Sequence, residues 1–137
     1  MKGIILLSHG PMAKGLFETT HWFFGNEIEQ YDYLCLQEED QQAAFIEAIK
    51  QKITMNDTGD GVIIFADLFG GTPCNSCIDL LGDHVQLITG MNLTIVLELL
   101  ANRLSDTYHF EDLLRAGKQG MVHVNRYQIS SDDDFMD

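Results

Sequence analysis

Basic residues, prolines and long apolar runs are all scarce in this chain of 137 residues. Only 8 lysines and arginines stand against 21 aspartates and glutamates, for a formal net charge of −13. Asp132, Asp133, Asp134 and Asp137 supply part of it, and the rest of the chain stays strongly acidic without them. An acidic surface repels phosphate backbones and anionic lipid, which argues against a nucleic-acid-binding module. The 2 prolines, Pro11 and Pro73, both open helical patterns, where a missing N–H is tolerated. No stretch approaches the roughly 20 apolar residues of a membrane span. The opening "MKGIILL" is interrupted too soon by "SHGPMAKG" for a secretory leader and reads as a first strand. With 3 cysteines, an odd number, a disulfide framework is not expected, and a cytoplasmic location is.

What is present alternates. "GIILLS" (3–8), "YDYLCL" (31–36), "VIIFAD" (62–67) and "VQLIT" (85–89) read as strands. Between them lie helical patterns. The first has Met12, Leu16, Thr20 and Phe23 on one face and ends at Gly25 and Asn26. The second, over 39–54, repeats Phe45, Ala48, Ile49 and Ile53 before "NDTGDG" breaks it. A third is expected over 72–82, with Thr72 as N-cap and Pro73 at the first helical position. Residues 92–101 form a helix apolar around most of its circumference, the pattern of a helix buried in a core or a subunit interface. A short helix follows at 110–116, and "MVHVNRYQI" (121–129) alternates like a last strand. The expected fold is an open, mainly parallel, doubly wound α/β sheet with helices on both faces. It forms one domain over 1–130, followed by an acidic solvated tail at 131–137.

In such sheets ligands bind beyond the carboxyl ends of the strands, where strand order reverses. With the first strand beside the third, that crevice lies between residues 8–11 and 67–73. Three segments converge on this edge: Ser8-His9-Gly10, "DLFGGTP" (67–73) and "TGMNL" (89–93). Neutral imidazole is a nucleophile at neutral pH and needs no strong base. A carboxylate on one ring N–H fixes the tautomer, frees the other nitrogen and steadies the positive charge that develops on attack. Adjacent strands lie about 4.8 Å apart, which brings His9 and Asp67 within hydrogen-bonding reach. Gly70 and Gly71 let backbone come close, the helix entry offers free N–H groups, and the Thr72 hydroxyl adds a donor. An anion seat beside a nucleophilic histidine suits phosphoryl transfer through a phosphohistidine. Taken singly, His9 reads as a strand-end histidine and Asp67 as a helix-capping or turn residue; their convergence at one switch point favours the chemical reading.

"SHGPMAKGL", "DLFGGTPCN" and "TGMNLTIVLE" resemble, in order and spacing, the signatures of the enzyme IIA domain of the mannose-class (mannose, fructose, sorbose) bacterial sugar phosphotransferase system. The likeness covers about residues 1–130. It implies that His9 accepts a phosphoryl group from the phosphocarrier HPr and passes it to a histidine of enzyme IIB, with membrane enzymes IIC and IID acting downstream. It implies that Asp67 orients His9 and that Thr72 contacts phosphate, with Ser8, Gly70 and Gly71 beside it, and that neither metal nor cofactor is needed. It also implies a homodimer in which the last strand, near 121–129, is exchanged. The family usually has proline and methionine after "GMNL", where this chain has Thr94 and Ile95; a looser helix start is expected. A related branch, the phosphoryl donor to dihydroxyacetone kinase, shares the fold.

Other readings are weaker. Cys74 and Cys77 form a C-x-x-C at a helix start, the pattern of a thiol redox protein. They also fall with Ile78 and Leu81 on the core face of a helix, where cysteine packs as a small hydrophobe. A zinc site lacks ligands in number, and a phosphoaspartate receiver needs acidic residues where Ser8 and His9 stand. His21 is read as an exposed or partly packed surface residue, His84 and His109 as turn residues, and His123 as a strand residue sharing a face with Asn125. Met12, Phe17, Trp22, Phe23 and Phe24 are expected mostly in the core, with one or two at a docking surface. A non-catalytic anion-binding regulatory module, with Asp67 and Thr72 holding the anion, is the remaining alternative.

Overall fold

The computed structural model describes residues 1–105 and 108–127. Four parallel strands, β1 (Gly3–His9), β2 (Tyr31–Leu36), β3 (Val62–Ala66) and β4 (Val85–Ile88), form one sheet in the order β2-β1-β3-β4. The two central strands are the most apolar: β1 is buried from Gly3 to Ser8, and β3 along its whole length. Strands covered on both faces need such near-continuous apolar runs. Each fully buried leucine or isoleucine contributes about 1.5–3 kcal/mol.

Alternate side chains feed two cores. Ile4, Leu6, Ile63 and Phe65 pack with α1 (Met12–Phe24), α4 (Leu93–Asn102) and α5 (Phe110–Gln119). Ile5, Leu7, Ile64 and Ala66 pack with α2 (Gln42–Asn56) and α3 (Thr72–Asn75) on the other face. The doubly wound α/β architecture is therefore as expected. Arg103, buried just past α4, donates to the carbonyls of Lys2, Gln30 and Glu29 and pins the helix end beneath the starts of β1 and β2. Asn92 caps α4 by accepting from the Ile95 N–H at 2.9 Å, so the helix starts firmly with Thr94 and Ile95 in place. Among the described residues no helix is long and apolar enough to cross a membrane.

Several local expectations fail. Residues 121–127 form no strand: a 3-10 turn at Val124–Arg126 replaces it, with Met121, Val122 and Val124 exposed. A strand needs a ladder partner, and within the described residues this segment has none; residues 128 and 129 and the tail lie outside them. His123 and Asn125 accordingly share no strand face. The helix expected over 72–82 stops at Asn75 and resumes only as a 3-10 turn at Ile78–Leu80. The Ser76 hydroxyl donates to the Thr72 carbonyl at 2.6 Å, a back-bond of the kind that bends helices. From Cys77 the chain tightens, the Cys77 N–H donating to the Cys74 carbonyl and the Leu80 N–H to that of Cys77. Ile78 and Leu81 are exposed as a result, while Cys74 and Cys77 remain buried.

On α1 the inward face is Ala13, Leu16, Phe17 and Thr20. Met12, Trp22, Phe23 and Phe24 are exposed, against the expectation of core positions. Trp22 stands about 200° around the helix from Thr20, at 3.6 residues per turn, and so points away from the sheet. His21 is half-buried: its ring packs against Phe17 and Tyr31, and its Nδ1–H donates to the Phe17 carbonyl.

Candidate functional site

The chain leaves β1 for β2 on one side and returns to β3 on the other, so strand order reverses between β1 and β3. The β1–β3 ladder ends at Leu7 and Ala66. His9, the last residue of β1, and Asp67, the first after β3, lie just beyond it, at the ends of two buried strands. The His9 Nδ1 and Asp67 Oδ2 are 2.9 Å apart, and the backbone N–H of His9 donates to the same oxygen at 2.9 Å. Asp67 Oδ1 accepts from the Leu68 N–H at 3.0 Å. The Asp67 side chain keeps 9% of its surface exposed and that of His9 keeps 44%, so the carboxylate is the sheltered partner and the ring the accessible one.

Burial pushes the Asp67 carboxyl up, but the hydrogen bonds from the His9 backbone and ring, the His9 charge and the Leu68 N–H together outweigh it. They hold the group below the usual carboxylate range. Asp67 is thus an anion at neutral pH, accepting on Oδ2 from Nδ1–H. In a neutral ring this arrangement places the proton on Nδ1; no hydrogen bond occupies Nε2 among the described residues.

Gly10 turns the chain after β1 in the left-handed region, at φ +56°, and donates to the Leu36 carbonyl at 2.8 Å. Ser8, expected beside the phosphate, is fully buried instead. Its hydroxyl donates to the Gly10 carbonyl at 2.9 Å and accepts from the Ala13 N–H at 2.7 Å, which ties the turn to α1. It shapes the loop that carries His9 and has no free group for an anion.

The second segment reaches His9 from the other side. Gly71, not Thr72, occupies the N-cap position of α3, and no side chain caps it. The first N–H groups of a helix have no intrahelical acceptor and are open to an anion. The Asn75 side chain donates to the Gly70 carbonyl at 2.9 Å and holds the Gly-Gly turn in place. Thr72 lines the cavity with His9, and none of the described side chains hydrogen-bonds its hydroxyl.

That cavity, about 850 Å³ and open to solvent, is also lined by Gly10, Leu36, Gln42 and the acidic run Glu38, Glu39 and Asp40. Residues 37–41 went unrecognised in the sequence, although His9 pairs with Leu36, so the loop after β2 had to border the site. The third expected segment does not line the cavity. Met91 is buried and donates from its backbone to the Ala66 carbonyl, buttressing β3 from behind.

Both members of the cysteine pair are buried free thiols packed in the core. Burial, and secondarily the neighbouring Cys74, push the Cys77 thiol up to about 12, opposite to a reactive thiolate. Among the described residues no group of three or more His, Cys, Asp or Glu side chains could hold a metal ion.

An accessible histidine hydrogen-bonded to a sheltered aspartate thus stands at the switch point of a parallel α/β sheet. The family model of the phosphotransferase system (PTS) fructose IIA component matches residues 3–116, and the chain belongs to that family. It is similar to the PTS mannose-specific EIIAB component of Escherichia coli K12, 27% identical over 124 residues, covering 86% of this chain. The chain spans about 38% of the length of that relative.

Among solved structures it resembles the PTS IIA protein associated with the fucose utilization operon from Streptococcus pneumoniae. The TM-score is 0.84 and the identity 26%, covering 90% of this chain and 93% of that one. The mannose/sorbose specific IIA subunit from Enterococcus faecalis shares the fold with a TM-score of 0.77 at 23% identity, covering 95% of this chain and all of that one.

Proposed function

We propose that this chain is a cytoplasmic phosphoryl relay of the sugar phosphotransferase system, with a phosphohistidine at His9. The observation that carries the reading is the 2.9 Å bond between His9 Nδ1 and Asp67 Oδ2, with the ring otherwise accessible at an open cavity. In the forward step the Nε2 lone pair attacks phosphorus in line. A P–N bond forms to His9 as the P–N bond to the donor histidine of HPr breaks, and the leaving electron pair stays on the donor ring. The Nδ1 proton remains on the ring, and Asp67 compensates the positive charge that develops. Thr72 and the backbone of Gly70 and Gly71 hold the phosphoryl oxygens. Positioning and anion stabilisation supply the rate. The second transfer reverses these roles toward a histidine of enzyme IIB, coupled through IIC and IID to sugar uptake.

The working unit is a homodimer that exchanges the segment near 121–129. The exposure of Met121, Val122 and Val124 in the single chain supports this, since the segment alternates like a strand and its described residues, 121–127, form none.

Incubation with enzyme I, HPr and phosphoenolpyruvate tests the relay, with intact mass read for wild type and His9→Ala. One acid-labile phosphoryl group on the wild type and none on His9→Ala is the expected result. Folded wild type that takes no label would overturn the relay from HPr and favour an anion-binding module or a different donor.

A further inference from the structure

We infer that Gly71 is a positioning residue: its missing side chain is the space in which the His9 imidazole stands. The backbone of Gly71, at φ −80° and ψ 172°, is one that any residue adopts, so conformation does not require glycine there. Gly70 differs, since its φ of +90° lies in the left-handed region. What demands glycine at 71 is proximity. A methyl group built on Gly71 would lie 2.6 Å from His9 Cε1, 3.2 Å from Nε2 and 3.8 Å from Nδ1. Carbon atoms do not approach to 2.6 Å without displacement. The ring is therefore fixed on two sides, by the Asp67 carboxylate at Nδ1 and by the Gly71 backbone along the Cε1–Nε2 edge.

The structure also shows which partner would give way. The Gly-Gly turn is anchored by the Asn75 side chain on the Gly70 carbonyl at 2.9 Å, by the Asn75 N–H on the Gly71 carbonyl at 2.8 Å and by Ser76 on the Thr72 carbonyl at 2.6 Å. His9 ends in a half-exposed ring with solvent beside it. A methyl at 71 displaces the ring and spares the loop, and the Nδ1–Oδ2 bond breaks. A reacting atom misplaced by about 1 Å can cost about a hundredfold in rate. That rate consequence rests on the phosphohistidine reading; the steric relation does not.

Gly71→Ala is compared with wild type and with Gly82→Ala, whose added methyl would meet nothing within 4 Å. Three readouts are taken: the nitrogen-15 resonances of the His9 ring, the melting temperature in wild-type and His9→Ala backgrounds, and the labelling rate by phospho-HPr. Gly71→Ala is expected to shift the ring resonances and slow labelling about a hundredfold. It is expected to lower the melting temperature with His9 present and not with alanine at 9. Gly82→Ala should leave the ring and the rate unchanged. Unaltered ring resonances, or an equal loss of stability in both backgrounds, would overturn the inference, the latter because the methyl then strikes the loop. If wild type takes no label, the relay falls, and the ring and melting readouts still decide the role of Gly71.

Discussion

Asparagine at position 67 would change the electrostatics of the site while keeping its shape. All three groups that meet the Asp67 carboxylate are donors: the His9 N–H and ring on Oδ2, and the Leu68 N–H on Oδ1. An amide offers one acceptor and one donor end, so at least one of these bonds must fail. With its carbonyl toward His9, the amide NH2 faces the Leu68 N–H. Turned the other way, it donates to Nδ1 and drives the ring proton onto Nε2, which removes the attacking lone pair. The first orientation keeps the tautomer but loses the negative charge that compensates the ring. Hydrogen bonds to charged groups contribute about 1.5–3 kcal/mol. At about 1.36 kcal/mol per decade, transfer should slow by roughly one to two orders of magnitude, and further by any population in the second orientation.

The cost to the fold is smaller. The bond lost in the first orientation is that of the exposed Leu68 N–H, which can turn to water. It therefore costs about 0.5–1.5 kcal/mol, a fall in Tm of a few degrees for a chain of this size. Rapid-quench measurement of labelling from phospho-HPr, beside a melting curve, separates the two effects. The folded-state pKa of Asp67 lies below its usual 3.8, so its contribution to stability is present above about 3.8 and is lost as pH falls through the lower folded value. Asp67→Asn removes that part, and its stability should fall less steeply than that of wild type below pH 3.8. A folded variant that accepts phosphoryl groups at the wild-type rate would refute the orienting role; a variant that fails to fold would make Asp67 a structural cap.

Two further expectations concern groups away from the site. Burial, opposed by the hydrogen bond with Thr20 and by Arg103, pushes the Tyr31 phenol from its usual 10.0 up to about 12. The unfolded chain then releases that proton first, so stability should decline between about pH 10 and 12, and a spectrophotometric titration should show one tyrosine ionising late or only on unfolding. Of the three cysteines, Cys74 and Cys77 are buried and Cys35 is partly exposed. Iodoacetamide at neutral pH should modify one thiol in the native protein and all three in denaturant, read by intact mass; rapid native modification of Cys74 or Cys77 would contradict the packing.

The strands and the switch point were legible because they are written in long, unambiguous signals. "IILL" and "VIIFA" can satisfy their apolar surface only by burial on both faces, and alternation with helical segments then dictates parallel pairing. Once β1 lies beside β3, His9 and Asp67 must meet. What sequence reading missed depends on single contacts. Nothing in "TPCNSC" announces that Ser76 turns back onto the Thr72 carbonyl and that the next N–H bonds three residues back, to Cys74. Ser8 reads like a ligand donor by type and position, but its hydroxyl is consumed by Gly10 and Ala13. Trp22, Phe23 and Phe24 look like core by composition, although the helix period directs them outward once Ala13 and Thr20 set the buried face. Gly71 sits in a glycine pair, and only coordinates show that one member serves a left-handed turn and the other a close approach.

One oxygen joins the fold to the chemistry. Past Leu7 and Ala66 the backbone ladder between β1 and β3 stops, because the chain must turn away into its loops. The His9 N–H would be left without its ladder acceptor there, and Asp67 Oδ2 takes that place at 2.9 Å. The same atom then meets Nδ1 of the His9 ring. The carboxylate therefore finishes the sheet and meets the imidazole with the same oxygen, and the ring's direction is tied to the ends of the two central, buried strands. Removing the imidazole leaves the backbone bond in place, so His9→Ala should cost less stability than loss of the carboxylate. Removing the carboxylate gives up both bonds, which is why the two partners of one hydrogen bond should differ in their cost to the fold while both being needed for transfer.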